Sequence, residues 1–282
     1  MLPKKRSCVT VTLDGVPSAC PTTPAEDRYT MLKSLYVILG AVISLMIAAH
    51  PASAWELESM NKQIDETNVI VSAVCSGTVI SVKERLILTA NHCITGNVRQ
   101  VEKEVVDPKT GEIKRVLVQE KSGVFIETWK RQNYDIVRSE RHAAVIVGFD
   151  EATDTAILRV VDVEWKPASF APLAPDGYEY LRGKPVFAVG NPAVTFDSSV
   201  TTGIISAPMR KESFGGRFEI PLFQHSANTI GGNSGGAIYN DEGQIIGTVT
   251  GGIRGSDVSL AVPIAFTKAL LRRLGLGDVI TN

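Results

Sequence analysis

From Val69 onward, short β-branched runs alternate with turn residues. VIVSAV (69–74), GTVISV (77–82) and RLILTA (85–90) come first, with a turn-like Lys83-Glu84-Arg85 before the last. Apolar runs of this length, bounded by turn signals, read as buried strands. In residues 96–123 the pattern changes. Apolar and charged positions alternate on both sides of Asp107-Pro108-Lys109-Thr110-Gly111, which predicts a solvent-exposed β-hairpin. HAAVIVGF (142–149) and TAILRVV (155–161) are further strands, and 162–184 is a linker rich in Pro, Gly and Ala. A second group follows: PVFAVG (185–190), SVTTGIIS (199–206), RFEIPLFQHSA (217–227), GAIYN (236–240), QIIGTVTG (244–251) and SLAVPI (259–264). Then the period lengthens. Ile264, Ala265, Lys268, Ala269, Leu271, Arg272 and Leu274 form one helical face, which Gly275 and Gly277 end. Residues 55–68 read as a short helix or arm.

Helices do not alternate with strands, which argues against a parallel α/β sheet. Two antiparallel barrels and one long sandwich both fit. Barrels leave no sheet edges, which favours them.

The stretch before residue 55 has another character. Met31-Leu32-Lys33-Ser34 gives a possible second start, followed by an apolar run from Leu35 to Ala49 and the small string Ala52-Ser53-Ala54. This is the layout of a signal peptide cleaved after Ala54. The run is short for a bilayer span, which takes about 20 residues. A single-span anchor is the alternative, and no stable anchor is expected after cleavage. Residues 1–30 have no period of either kind and read as an unstructured extension or a start assigned too early. The expected division is 1–30, leader 31–54, arm and first barrel 55–165, linker 166–184, second barrel 185–263, and helix and tail 264–282.

Composition narrows the class of partner. The chain of 282 residues is 44% hydrophobic and 21% charged, with a formal charge of -1. It is too apolar to be largely disordered. It carries no global basic footprint for nucleic acid. Downstream of the leader, Cys75 and Cys93 are the remaining cysteines. In an exported chain they read as one disulfide closing a loop of about 18 residues, worth roughly 3 kcal/mol, or as two buried thiols. Zinc is a weaker reading, because His92 and Cys93 have no second ligand pair at zinc spacing. No metal and no cofactor is expected.

Three segments carry chemistry: Leu88-Thr89-Ala90-Asn91-His92-Cys93, Thr153-Asp154-Thr155, and Gly231-Gly232-Asn233-Ser234-Gly235-Gly236. In order they supply His, Asp and Ser, one of the known chain orders of a hydrolytic triad. A serine hydroxyl needs a neighbouring imidazole to take its proton, and a buried carboxylate to fix that imidazole. Ser234 is therefore the expected nucleophile, His92 the base and acid, and Asp154 the orienting group. Asp150 is the rival acid, but it follows Gly148-Phe149 and reads as a turn residue. Glycines let successive amides converge on one point, so the Gly232 and Ser234 N–H groups are the expected oxyanion donors. His225 and His142 are weighed as packed strand histidines against a specificity role for His225.

Cys75-Ser76-Gly77-Thr78 with Thr89-Ala90-Asn91-His92-Cys93 resembles the chymotrypsin-fold serine proteases, in which a disulfide brackets the strands that carry the histidine. Val189-Gly190-Asn191-Pro192, Ser199 to Ser206, Gly232 to Gly236 and Ala261-Val262-Pro263-Ile264 resemble the HtrA/Deg branch. The resemblance runs from about residue 69 to 274. It implies an all-β fold of two antiparallel six-stranded β-barrels with a short C-terminal helix, and an exported serine endopeptidase, periplasmic or secreted. The substrates it implies are unfolded or extended polypeptides. It also implies a specificity pocket with a neutral floor at Asn228 and walls at Thr250, Gly251 and Gly252. Unlike most of that branch, the sequence is expected to lack a PDZ domain. Asn233 replaces the aspartate that pairs with a new N-terminus in trypsin-like enzymes, so that activation is not expected. A catalytically silent polypeptide-binding or chaperone-like module is the second reading. An esterase is a third, disfavoured because a G-x-S-x-G elbow is absent around Ser234.

Overall fold

The computed structural model describes residues 55–132, 135–211, 221–253 and 255–281. The extension at 1–30, the leader at 31–54 and the start of the run read at 217–227 lie outside them.

Helix α1 (Leu57–Thr67) leads into the first barrel, made from β1 (Asn68–Val71), β2 (Cys75–Ser81), β3 (Leu86–Ala90), β6 (Val124–Gln132), β7 (Asp135–Asp150) and β8 (Thr155–Val160). The second holds β9 (Pro185–Gly190), β10 (Ser199–Lys211), β11 (Pro221–His225), β12 (Ala237–Tyr239), β13 (Ile245–Gly252) and β14 (Ser259–Pro263). The strand orders β1-β2-β3-β8-β7-β6 and β10-β11-β14-β13-β12-β9 both close, with antiparallel neighbours throughout. Each barrel fills with the β-branched and aliphatic residues of its own runs. Val79, Ile87, Leu158 and Ile126 pack in the first, and Val186, Ile205, Ile238 and Ile246 in the second.

The hairpin forms where the alternation placed it, as β4 (Val98–Val106) and β5 (Ile113–Lys121) paired in their own two-stranded sheet. Cross-strand ion pairs such as Lys103–Glu120 and Arg115–Glu104 run along it. Two strands are longer or new relative to the sequence pattern. β6 has no counterpart in it, and β7 begins seven residues before the run at 142–149. Charged residues at 140 and 141 break up the apolar pattern there; they point to opposite faces of the strand, where Arg141 is exposed and pairs with Glu127, and Glu140 lies 3.7 Å from His142. The first run also ends early, because Ser72 and Ala73 adopt positive φ (51° and 55°) in the turn to β2.

The segment between the barrels is stitched to both. Ala171 N–H donates to Val79 O at 2.9 Å in the first barrel, and Ile245 N–H of the second donates to Pro172 O at 2.8 Å. Helix α2 (Ile264–Arg273) follows β14 and reaches back to the first barrel. Its Arg273 pairs with Asp150 at 3.0 Å, and Leu274, the next residue, fills the space that a side chain at Gly148 would need. At the other end Trp55 packs on Tyr239 and Phe187 of the second barrel. No helix among the described residues is long and apolar enough to cross a membrane.

Cys75 and Cys93 form a disulfide across 18 residues. It ties the start of β2 to the segment after His92. Replacing both by serine should lower unfolding free energy by about 3 kcal/mol through loop entropy. Urea titration checks this as a lower midpoint that reducing agent does not lower further in the variant.

Candidate active site

β3 delivers His92. The strand ends at Ala90, and Asn91–Cys93 make one 3-10 turn that lifts the histidine out of the barrel wall. The turn between β7 and β8 delivers Asp154, with positive φ (47°), a conformation that aspartate tolerates better than most residues. β3 and β8 are neighbours in register, Ala90 opposite Thr155, so the two residues meet just past their ends.

Asp154 is 1% exposed, and its carboxylate is held by three donors. Oδ1 accepts from the His92 backbone N–H at 2.8 Å. Oδ2 lies 2.8 Å from His92 Nδ1 and accepts from Thr250 Oγ1 at 2.5 Å. With a proton on Nδ1, His92 presents Nε2 as an acceptor. The rival Asp150 is engaged elsewhere: it accepts from Thr153 N–H at 3.2 Å and pairs with Arg273.

Ser234 comes from the second barrel, on the turn between β11 and β12. Its carbonyl accepts from Ser76 N–H of β2 at 2.8 Å and lies 3.7 Å from Cys93 Sγ, which brings the serine turn against the histidine segment. Among the described residues no hydrogen bond joins Ser234 Oγ to His92. Such bonds commonly tighten when substrate arrives. The turn's amides divide sharply. Those of Asn233, Gly235 and Gly236 donate to Ile230, Val249 and Asn233 carbonyls at 3.1, 2.9 and 2.9 Å. The Gly232 and Ser234 N–H groups have no acceptor among the described residues. Gly232 has φ of 100° and its missing Cβ leaves room for the Asn191 carbonyl, so only glycine fits.

The residues assigned to the pocket fall on both sides of this turn. Asn228 is exposed, and its carbonyl accepts from Thr201 Oγ1 at 2.8 Å. Gly251 and Gly252 are half-buried at the end of β13, and a Cβ at Gly251 would meet open space. The sequence reading assigned Thr250 to the pocket wall and missed the bond its hydroxyl makes to Asp154. It also missed Thr229, whose hydroxyl donates to Ser259 Oγ at 2.9 Å next to Asn228. Hydroxyls at isolated positions carry no spacing signal.

The Cys75, Cys93 and His92 ligand atoms lie within 4.8 Å of one another. The two sulfurs are bonded to each other, so they have no thiolates to offer a metal. His142 is buried and structural. Its Nδ1 lies 2.9 Å from Asp162, and that bond holds the Asp162 carboxyl below its usual range. A cavity of about 1000 Å³ lined by Trp129, His142, Asp162 and Trp165 contains no triad residue.

A trypsin-like peptidase domain family model matches residues 75–247. The chain is 39% identical over 110 residues, 37% of its length, to the serine protease Do-like HtrA of Lactococcus lactis subsp. cremoris, and covers 26% of that protein. It is 29% identical over 136 residues, 48% of its length, to a probable periplasmic serine endoprotease DegP-like protein of Chlamydia pneumoniae, and again covers 26%. It thus spans about a quarter of the length of these curated relatives. The crystal structure of the serine endoprotease from Yersinia pestis matches with a TM-score of 0.54 at 22% identity, covering 79% of this chain and 67% of that one. At that identity the likeness is one of fold.

His225 lies fully buried on β11 with its ring beside Phe223. Burial pushes its pKa down to about 4 from the ordinary 6.5, against a smaller opposing effect of the Ala227 backbone. Between those values the unfolded chain binds the extra proton, so stability is full above pH 6.5 and falls as pH drops towards 4. The loss should total roughly 3 kcal/mol. Urea titrations across this range should show it, with a shallower slope in His225→Leu.

Proposed function

This chain belongs to the trypsin-like peptidase domain family, and on that premise we propose that it is an exported serine endopeptidase that cleaves polypeptides through Ser234, His92 and Asp154. The observation that carries the reading is the pairing of His92 Nδ1 with a buried Asp154 beside a serine turn that leaves two amides unclaimed.

The geometry supports the following sequence of steps. An extended substrate pairs with the end of β13 at Thr250, Gly251 and Gly252, as an added strand. Ser234 Oγ attacks the scissile carbonyl carbon while its proton passes to His92 Nε2. The imidazolium so formed is stabilised by Asp154, whose position Thr250 fixes. The carbonyl oxygen becomes an oxyanion and takes the Gly232 and Ser234 N–H groups. The C–N bond breaks, His92 returns the proton to the leaving amine, and an acyl-Ser234 ester remains. Water, deprotonated by His92, then hydrolyses the ester.

Asn228 places no charge at the pocket floor, so arginine or lysine is not selected there. The apolar run 35–49 with Ala52-Ser53-Ala54 supports export to the periplasm or medium. Cleavage after Ala54 would leave Trp55 in place, and its indole is already packed on the second barrel.

A fluorophosphonate probe should label the folded protein on Ser234, and the purified chain should degrade casein. Ser234→Ala should lose both, and Asp154→Asn should lower kcat by about 10⁴-fold. Folded wild-type protein that neither labels nor degrades casein, yet binds unfolded polypeptide, would establish the silent binding module instead.

A further inference from the structure

The oxyanion donors are backbone amides, and their directions are set by atoms outside the triad. In a trans peptide the N–H points opposite to the C=O of the same unit. The unit that carries the Gly232 N–H has its Gly231 carbonyl held by Ala193 N–H at 2.7 Å. The unit that carries the Ser234 N–H has its Asn233 carbonyl held by Gly236 N–H at 2.9 Å. Between them lies the Gly232–Asn233 unit. Its N–H donates to Ile230 O at 3.1 Å, and its carbonyl accepts from Ser76 Oγ at 2.7 Å. Ala193, Gly236 and Ile230 belong to the second barrel or its loops, whereas Ser76 belongs to β2 of the first.

Ser76 is fully buried, and its hydroxyl has no freedom of direction. Asn191 donates to it twice, from the backbone N–H at 2.8 Å and from Nδ2 at 3.1 Å. Both acceptor positions of the hydroxyl are therefore filled, and its one proton goes to the Gly232 carbonyl. Asn191 is itself fixed, with Oδ1 accepting from Asn68 Nδ2 at 2.9 Å and from Ser198 N–H at 3.0 Å. The residue that Ser76 grips is the swivel of the turn. Gly232 has no Cβ and a positive φ, so without the bond the central unit can rotate and splay the two donors apart.

We propose that Ser76 is a positioning residue for the oxyanion site: its hydroxyl, aimed by Asn191, fixes the peptide unit between the Gly232 and Ser234 amides and so sets the angle at which they meet. This rests on the reading of the chain as a Ser234-dependent peptidase. It separates Ser76 from an ordinary buried hydroxyl, because misdirected donors weaken binding of the tetrahedral intermediate and leave substrate binding alone.

The test compares wild type with Ser76→Ala on a fluorogenic peptide and on a fluorophosphonate, well below the melting temperature of each. For Ser76→Ala we expect kcat and the rate of Ser234 labelling to fall together by roughly 10- to 100-fold, with KM within about threefold of wild type. Ser76→Thr, which keeps the hydroxyl, should recover most of the labelling rate. If Ser76→Ala does not fold, Ser76→Cys keeps the side-chain shape at slightly larger size with a weaker donor, and should show a smaller loss of the same form. Wild-type kcat and labelling in the folded alanine or cysteine variant, or a rise in KM alone, would overturn the role of Ser76. Folded wild type that the probe does not label would overturn the peptidase reading itself.

Discussion

A carboxylate removed from water has to be satisfied by protein donors, and for Asp154 those donors come from both barrels. His92 supplies two from the first and Thr250 one from the second. A buried charge with a donor missing is costly, whereas the complete set is strong because each bond is charge-assisted. The barrels therefore have one relative placement in which Asp154 is served. The serine turn, which belongs wholly to the second barrel, takes its position against His92 from that placement.

The rest of the seam is built in the same way, from neutral groups. Asn68 Nδ2 donates to Asn191 Oδ1 at 2.9 Å, Ser76 N–H donates to Ser234 O, and Asn191 Nδ2 donates to Val69 O at 3.0 Å. Glycines allow the approach. A Cβ at Gly190 would strike Asn233 Oδ1, and one at Gly235 would strike Thr89 Oγ1 and the Ser76 carbonyl. These glycines are needed for the closeness of two backbones as much as for turn shape. An apolar cluster also crosses the seam, where Ile80, Leu86, Leu88 and Ile157 of the first barrel join the core of the second; the polar bonds add to it a fixed direction that a hydrophobic contact lacks.

The two groups of strands and the hairpin were legible in the sequence, because period-two alternation and β-branched runs report burial directly; that each group closes into a six-stranded barrel was implied by the resemblance, since alternation alone also fits a sandwich. Strand β6 was not legible: after Val124-Phe125-Ile126, charged residues at 127, 130 and 131 interrupt its apolar run. The meeting of His92 with Asp154 near the Ser234 turn was legible because these residue types, their order and the flanking glycines form a combination that chance seldom produces. Thr250 and Ser76 act through single hydroxyls to partners 96 and 156 residues away. No local pattern marks such a residue, since its role exists only once the barrels have closed. His225, weighed as a packed strand histidine against a specificity role, lies in the interior of the second barrel.

Asn233 shows what kind of control this seam permits. Its side chain sits against Gly190, 7% exposed, where an aspartate would be a buried charge in need of a cation. Asparagine makes no such demand. The carbonyls of the turn are instead held by Ala193, Ser76 and Gly236, all neutral donors already in place. Neutral bonds of this kind are worth about 1 kcal/mol each, so the order of the turn is distributed over several of them. Two of these donors, Ala193 and Gly236, lie in the second barrel or its loops, and only Ser76 reaches the turn's carbonyls from the first. A loosened seam would cost the turn its bonds to Ser76, and among the described residues no ion pair of the turn replaces them.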